Sequence, residues 1–219
     1  MLTKVSWCPC LLSVLSLNNM KFLAKIVLIF FLITSKIYAS DVTSWLKFEI
    51  DQILNAYKND NISNVEKFKY IENTINKNFA GAGIAKFVAG KAWSSADKET
   101  KKNYIKLFKH HLALNIASIL KGYSNQTYSM VSSKHDEKNG IFLIDMEIQD
   151  MTNKFLITWR VKESKNRYYV IDFLAADISL VITKRSEFNS LLKKVDYDLK
   201  AFNQTLSNQN ELSYNKLIQ

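Results

Sequence analysis

Thiols, prolines and glycines are scarce in this chain of 219 residues, which holds two cysteines, one proline and five glycines. Cys8, Pro9 and Cys10 all lie close to the N-terminus. From residue 11 onward the chain can form no disulfide and supplies neither a thiolate nucleophile nor a Cys ligand for a metal. A body without thiols suits an oxidising compartment. Histidine is scarce too, with only His110, His111 and His135. The first two are adjacent on a predicted helix and cannot present one face to a metal, which wants i,i+4 spacing. His135 falls in a predicted turn. Basic runs interleaved with aromatics are missing, which argues against nucleic acid. The apolar run Ile26–Thr34 is shorter than the ~20 residues of a membrane span.

That run belongs to a leader. Lys21 and Lys25 flank its start, and Ser35–Ala39 ends in a small residue at a plausible cut, the three parts of a secretory signal. Residues 1–39 are therefore expected to be removed, with Met20 as a second candidate initiator. No cysteine stands at the cut, so no lipoprotein anchor is expected there. The leader takes four lysines and no acid with it. Of the 30 Lys+Arg and 20 Asp+Glu, 26 bases and all 20 acids remain, a charge of +6. That is a modestly basic surface, compatible with anionic headgroups or an acidic partner.

The body reads as helices, then strands, then helices. Val42, Leu46, Ile50, Ile53, Leu54 and Tyr57 share one face of a helix near Val42–Lys58, with Asp41 as its expected N-cap. Ser63 and Glu66 form a capping box for a helix carrying Phe68, Ile71, Ile75 and Phe79. Gly81 and Gly83 suit a sharp turn and close packing; neither a preceding strand nor a following Lys-Ser/Thr makes them a phosphate loop. Gly90 ends a short helix. Ser95 is expected to cap a long helix reaching Gly122, with Tyr104, Phe108, Leu112, Ile116, Ile119 and Leu120 on one broad face. The period then changes to two. Four strands are expected, with Tyr128, Met130 and Ser132 on one side of the first. Phe142, Ile144, Met146 and Ile148 follow on the second, and Phe155, Ile157, Trp159 and Val161 on the third; the fourth is Arg167–Leu174. Helices near Leu180–Lys193 and Asp196–Leu206 precede a polar tail, 207–219, expected to fray. The plan is α+β: a curved antiparallel sheet whose apolar face is covered by helices.

No nucleophile–base pair can be assembled from these elements. Asp145 and Glu147 fall on the polar side of a strand. Asp172 and Asp177 are the acids least easily set aside, with Asp172 expected on the polar face. Apolar and aromatic side chains dominate what is left, and they would line a cavity or fill a core equally well. A binding protein, a structural or assembly module with a filled interior, and an enzyme using Asp172 in a cone-shaped sheet all remain open on the residues alone.

Gly90–Ala96 running into Tyr104–Phe108 and Tyr123–Gln126, together with Asp172–Leu180, Ile182–Phe188 and Leu191–Leu192, resembles the MlaC (toluene-tolerance) family of periplasmic phospholipid-binding proteins. The likeness spans about Ile62 to Leu206. The family's acid–glycine pair is here Ala176–Asp177, Ile116 replaces a common tyrosine, and a glycine is missing near Val195. The resemblance implies an NTF2-like sheet of about four strands with a small helical subdomain (about 80–122) beside the sheet (about 126–175), in a single domain over 40–206. It implies an apolar cavity for acyl chains, near or above the upper end of the usual roughly 300–1,000 Å³. It also implies a periplasmic, monomeric carrier with neither catalysis, cofactor nor metal. The implied partners are phospholipid, an inner-membrane ABC transporter complex with an MCE-domain protein, and an outer-membrane lipoprotein–porin complex. Its lipid-binding residues would be Phe79, Ile84, Phe87, Tyr104, Phe108, Leu112 and Ile116 from the helices. From the sheet they would be Tyr128, Met130, Ile144, Met146, Ile148, Phe155, Ile157 and Trp159.

Overall fold

Alternation of apolar residues at period two produces an antiparallel meander, and it is this sheet that the helices cover. The computed structural model describes residues 37–121, 126–150 and 153–219. The expected leader lies outside them except for its last three positions, as do Gly122 and Tyr123. The strands are β1 Thr127–Asp136, β2 Ile141–Gln149, β3 Lys154–Ser164, β4 Arg167–Ala175 and a short β5, Ile178–Ser179, side by side in that order. The helices are α1 Ile37–Lys58, α2 Asn64–Asn78, α3 Gly81–Ala89, α4 Lys91–Ser95, α5 Lys98–Leu120, α6 Leu180–Lys193 and α7 Leu199–Ile218. Residues 39–219 form one compact unit. No helix among the described residues is long and apolar enough to cross a membrane.

Helix starts follow local chemistry, with two corrections. The Ser63 amide donates to the Glu66 carboxylate at 3.0 Å and the Glu66 amide donates to the Ser63 hydroxyl, so the capping box is formed. Helix α5 is capped by Asp97, whose carboxylate accepts from the Thr100 amide at 2.8 Å, and not by Ser95, whose hydroxyl turns back to the Ala92 carbonyl. Asp97 wins because Ser95 already belongs to α4. Asp41 is not an N-cap either. Helix α1 begins at Ile37, and the Asp41 carboxylate accepts from the Tyr168 hydroxyl at 3.3 Å. Gly81, at the start of α3, lies against the flexible Lys109 side chain of α5.

Two β-bulges set which side chains face the helices. In β1, Met130 pairs with Met146 but Ser132 with Asp145, leaving Val131 as the extra residue. The expected alternation therefore breaks after Met130. Ser132 points to the other face, where its hydroxyl donates to Asp145 at 2.6 Å and Thr158 donates to the same carboxylate at 2.7 Å. These two hydrogen bonds hold the Asp145 carboxyl below its ordinary value. In β4, Arg160 pairs with Asp172 and Val161 with Val170, so Ile171 is the extra residue.

The C-terminal tail is the largest departure. Residues 207–218 continue α7 instead of fraying. The reason is a pair of buried asparagines. Asn203 donates to the Thr100 carbonyl at 3.1 Å and Asn210 donates to the Leu107 carbonyl at 2.9 Å, stitching α7 along α5. The outward Oδ1 of Asn210 then lies 3.0 Å from His111 Nδ1, so that nitrogen carries the proton. Its Nε2 is buried without a partner. Burial first, then the Lys184 charge, pulls the His111 pKa down to about 4.

Turn backbone and buried histidine both bear on stability. Lys165–Asn166 and Ala176–Asp177 are two-residue hairpin turns with positive φ at both positions, and neither contains glycine. Asp177 adopts φ 63 in the second of these turns. Asp177→Gly is expected to raise unfolding free energy by roughly 0.5–1 kcal/mol, read from urea denaturation, by removing a left-handed non-glycine residue. A neutral His111 in the native state means the unfolded chain binds the proton more readily below pH 6.5. Stability is then fully present above pH 6.5 and falls as the pH drops toward about 4. The loss expected is on the order of 3 kcal/mol, and His111→Gln flattens that slope.

Candidate functional site

At one end of the sheet the first residues of β1 and β3 meet the last residues of β2 and β4. Helix α1 and the last turn of α5 lie across that end. Between them is an apolar cleft of about 270 Å³. The strands contribute Tyr128, Met146, Ile148, Ile157, Trp159 and Phe173, with Ala175 at the edge. The helices contribute Ile50, Ile53 and Leu54 from α1 and Ile116, Ile119 and Leu120 from α5. Among the described residues no charged side chain lines it. A larger cleft of about 640 Å³ lies between α2, α5 and α7, but Glu72, Lys102, Lys106 and Glu211 line it with both charge signs. For an apolar ligand the smaller cleft is the better site.

The fifteen residues expected to line one cavity are spread over four environments. Ile116, Tyr128, Met146, Ile148, Ile157 and Trp159 line the cleft. Phe79, Ile84, Phe108 and Leu112 surround a gap of only about 10 Å³, which is a packed core. Tyr104 is fully buried among Trp93, Phe108 and Phe202, Ile144 is fully buried, and Met130 packs on the same core. Phe87 and Phe155 are 42% and 54% exposed. The Arg185 guanidinium covers Phe87 at 4.3 Å and also donates to its carbonyl. Periodicity groups residues by face, and a helix as long as α5 uses one face for two different cores. Sequence reasoning misses the contributions of α1 and of Phe173, although the apolar stripe of α1 is an available signal. At about 270 Å³ the cleft is also smaller than the cavity expected.

Charged and hydroxyl groups stand at the rim and not inside. The Tyr128 hydroxyl donates to Asp51 of α1, and the Lys47 ammonium binds the same carboxylate at 2.6 Å. Burial works to raise the Asp51 pKa, but the Lys47 and Tyr128 hydrogen bonds and the charges of Lys47 and Lys58 outweigh it and hold the carboxyl below its ordinary value. Ile119 is 67% exposed at the same rim. Asp172, paired in register with Arg160 on the face away from Trp159, is buried after all. The β5–α6 turn covers it: its carboxylate accepts from the Ser179 hydroxyl at 2.6 Å and the Val181 amide at 3.1 Å, anchoring the start of α6. His110 sits 2.6 Å from Glu72, and His135 stacks on Phe142 with ring centres 4.3 Å apart. Among the described residues no group of three His, Cys, Asp or Glu side chains could hold a metal.

Comparison with known proteins agrees with this architecture. No curated protein matches the chain. Among solved structures, a phospholipid-binding protein from Ralstonia solanacearum, determined in complex with a phospholipid, superposes with a TM-score of 0.66 at 18% identity. The match covers 77% of this chain and 96% of that one, and at this identity it establishes the fold. The sequence profile described as MlaC protein matches residues 49–208, from the middle of α1 into the middle of α7. With most of its length covered by that profile, the chain belongs to the MlaC protein family.

Proposed function

We propose that this protein is a periplasmic phospholipid carrier that shelters acyl chains in the cleft between α1, the end of α5 and the sheet. The observation that carries this reading is a cleft walled by hydrocarbon and aromatic carbon with no charge inside. The MlaC family and a neighbour solved with phospholipid support it. Moving an acyl chain through water costs about 0.8 kcal/mol per CH₂, or roughly 20 kcal/mol or more for two chains of ordinary length. A carrier must therefore cover them almost completely. The headgroup stays at the mouth, since burying it unpaired is costly.

A bilayer is as apolar as the cleft, so loading is nearly balanced and net direction is set by the partners. These are an inner-membrane ABC transporter complex with an MCE-domain protein and an outer-membrane lipoprotein–porin complex. The role is binding and delivery without catalysis. The cleft's 270 Å³ lies below the roughly 300–1,000 Å³ typical of ligand sites, so two chains enter only if it widens. Helix α1 forms one wall of the cleft and is held to the core by Val42 and Leu46. It meets β1 at the rim through Tyr128 and Asp51, and elsewhere on the sheet Trp45 touches Tyr168 with ring centres 5.5 Å apart.

Mass spectrometry of natively purified protein is expected to recover phospholipid. Finding none, even after incubation with liposomes, would overturn the assignment and favour a structural module with a filled interior. Ile116→Trp puts bulk into the cleft wall and is expected to lower lipid binding at least about tenfold at a stability cost of roughly 1–3 kcal/mol. Unchanged lipid binding by this variant would place the chains elsewhere.

A further inference from the structure

The wall of the cleft holds one buried polar hydrogen that no group among the described residues satisfies. Trp159 lines the cleft, and its indole Nε1 is buried with no hydrogen-bond partner. Indole nitrogen is a donor only, so it needs an acceptor. The other polar group on the wall, the Tyr128 hydroxyl, is already committed to Asp51. The remaining lining side chains are Ile, Leu, Met, Phe and Ala, none of which offers an oxygen. Ring mobility is restricted, because Phe173 faces Trp159 across the β3–β4 pair with centroids 5.3 Å apart. The other unpartnered buried side-chain atoms, including Tyr104 Oη and His111 Nε2, belong to residues that do not line the cleft.

A donor stranded in an apolar wall is costly to the empty protein and is rare enough in native structures to require a reason. The acceptor that would satisfy it must be neutral, since an unpaired charge would not enter a dry cleft. It must also arrive attached to hydrocarbon. An ester carbonyl, where an acyl chain joins its glycerol, meets both conditions; an ether-linked chain brings only a poorer acceptor at the same place. We propose that the Trp159 indole N–H donates to an ester carbonyl of the bound lipid, so that the cleft selects acyl esters over ethers carrying the same chains and headgroup. The proposal rests on the lipid-carrier reading and specifies the chemical linkage it recognises. The N–H is reached as the cleft widens to admit the chains.

The test compares dipalmitoyl phosphatidylcholine with its dihexadecyl diether analogue, binding each to the wild-type protein and to Trp159→Phe, which keeps a ring but removes the donor. Wild type is expected to favour the diester roughly three- to tenfold, the worth of one neutral hydrogen bond. In Trp159→Phe that preference should vanish. The Trp159 indole proton resonance of the wild-type protein should also move downfield with the diester and less with the diether, a readout independent of the variant's folding. Equal wild-type affinity for the two lipids overturns the inference and leaves the carrier reading standing. So does a preference that survives in Trp159→Phe. Binding of neither lipid overturns both.

Discussion

Helix α5 is the strut on which the two halves of the molecule depend. Its first turns are buried among helices: Tyr104 and Phe108 lie against Phe202 and Phe188, and the asparagines of α7 hold its backbone carbonyls. Its last turn leaves that packing and hangs Ile116, Ile119 and Leu120 over the end of the sheet. One rigid element thus joins a tightly filled helical core to a loosely filled cleft. The difference between those ends is physical. Near Phe79 and Leu112 the gap is about 10 Å³, room for one water at most, whereas the cleft at the far end holds about 270 Å³. Interiors close voids wherever they can, because a void forfeits dispersion contacts on its lining. A cleft kept open beside a closed core needs walls that cannot simply collapse, and α5, pinned along its other turns, supplies one.

The fold was legible to the extent that local chemistry decided it. Ser63 and Glu66 wrote the start of α2, and strict alternation from Phe142 to Ile148 wrote β2. Helix α6 occupies Leu180–Lys193, where its apolar spacing put it. Where tertiary contacts decided, the sequence was silent. Asn203 and Asn210 look like surface residues and are 4% and 3% exposed, because their amides replace solvent with α5 carbonyls. A polar tail and a helix docked through buried amides share one composition. Bulges at Val131 and Ile171 were equally hidden, since neither position carries glycine or any other mark of an inserted residue.

The candidate site was half legible for the same reason. Six of its residues were singled out as apolar positions on the correct elements, but no periodicity distinguishes the Ile116 end of α5 from the Tyr104 end. That distinction depends on what lies opposite. Tyr104 faces Phe202 of α7, a helix whose full length could not be read, while Ile116 faces strand ends and α1. The departures from the family pattern have a structural counterpart as well. Ala176–Asp177 and Asp196–Tyr197, near two of the positions where glycine is missing, all carry positive φ. These are bends that glycine would make easy, and Asp tolerates them better than Ala or Tyr. Strain at those turns is compatible with the fold because the segments on either side are tied down: Asp172 holds the start of α6, and Asp198 caps α7.

The placement of the acids is what gives the cleft its character. Asp145 is satisfied by two hydroxyls on the face away from the cleft, Asp172 by the β5–α6 turn, and Asp51 by Lys47 and Tyr128 at the rim. Each carboxylate therefore has its partners outside the apolar space. An unpaired carboxylate in such a space would either draw in water or take up a proton, and in both cases the wall would no longer match a bilayer interior. The rim arrangement has a second effect. Tyr128 belongs to the apolar wall through its ring and to the polar rim through its hydroxyl, so one residue marks the line where carbon ends and charge begins. A ligand with the same division, long chains on one side and a charged head on the other, would lie across that line with each half in its preferred surroundings.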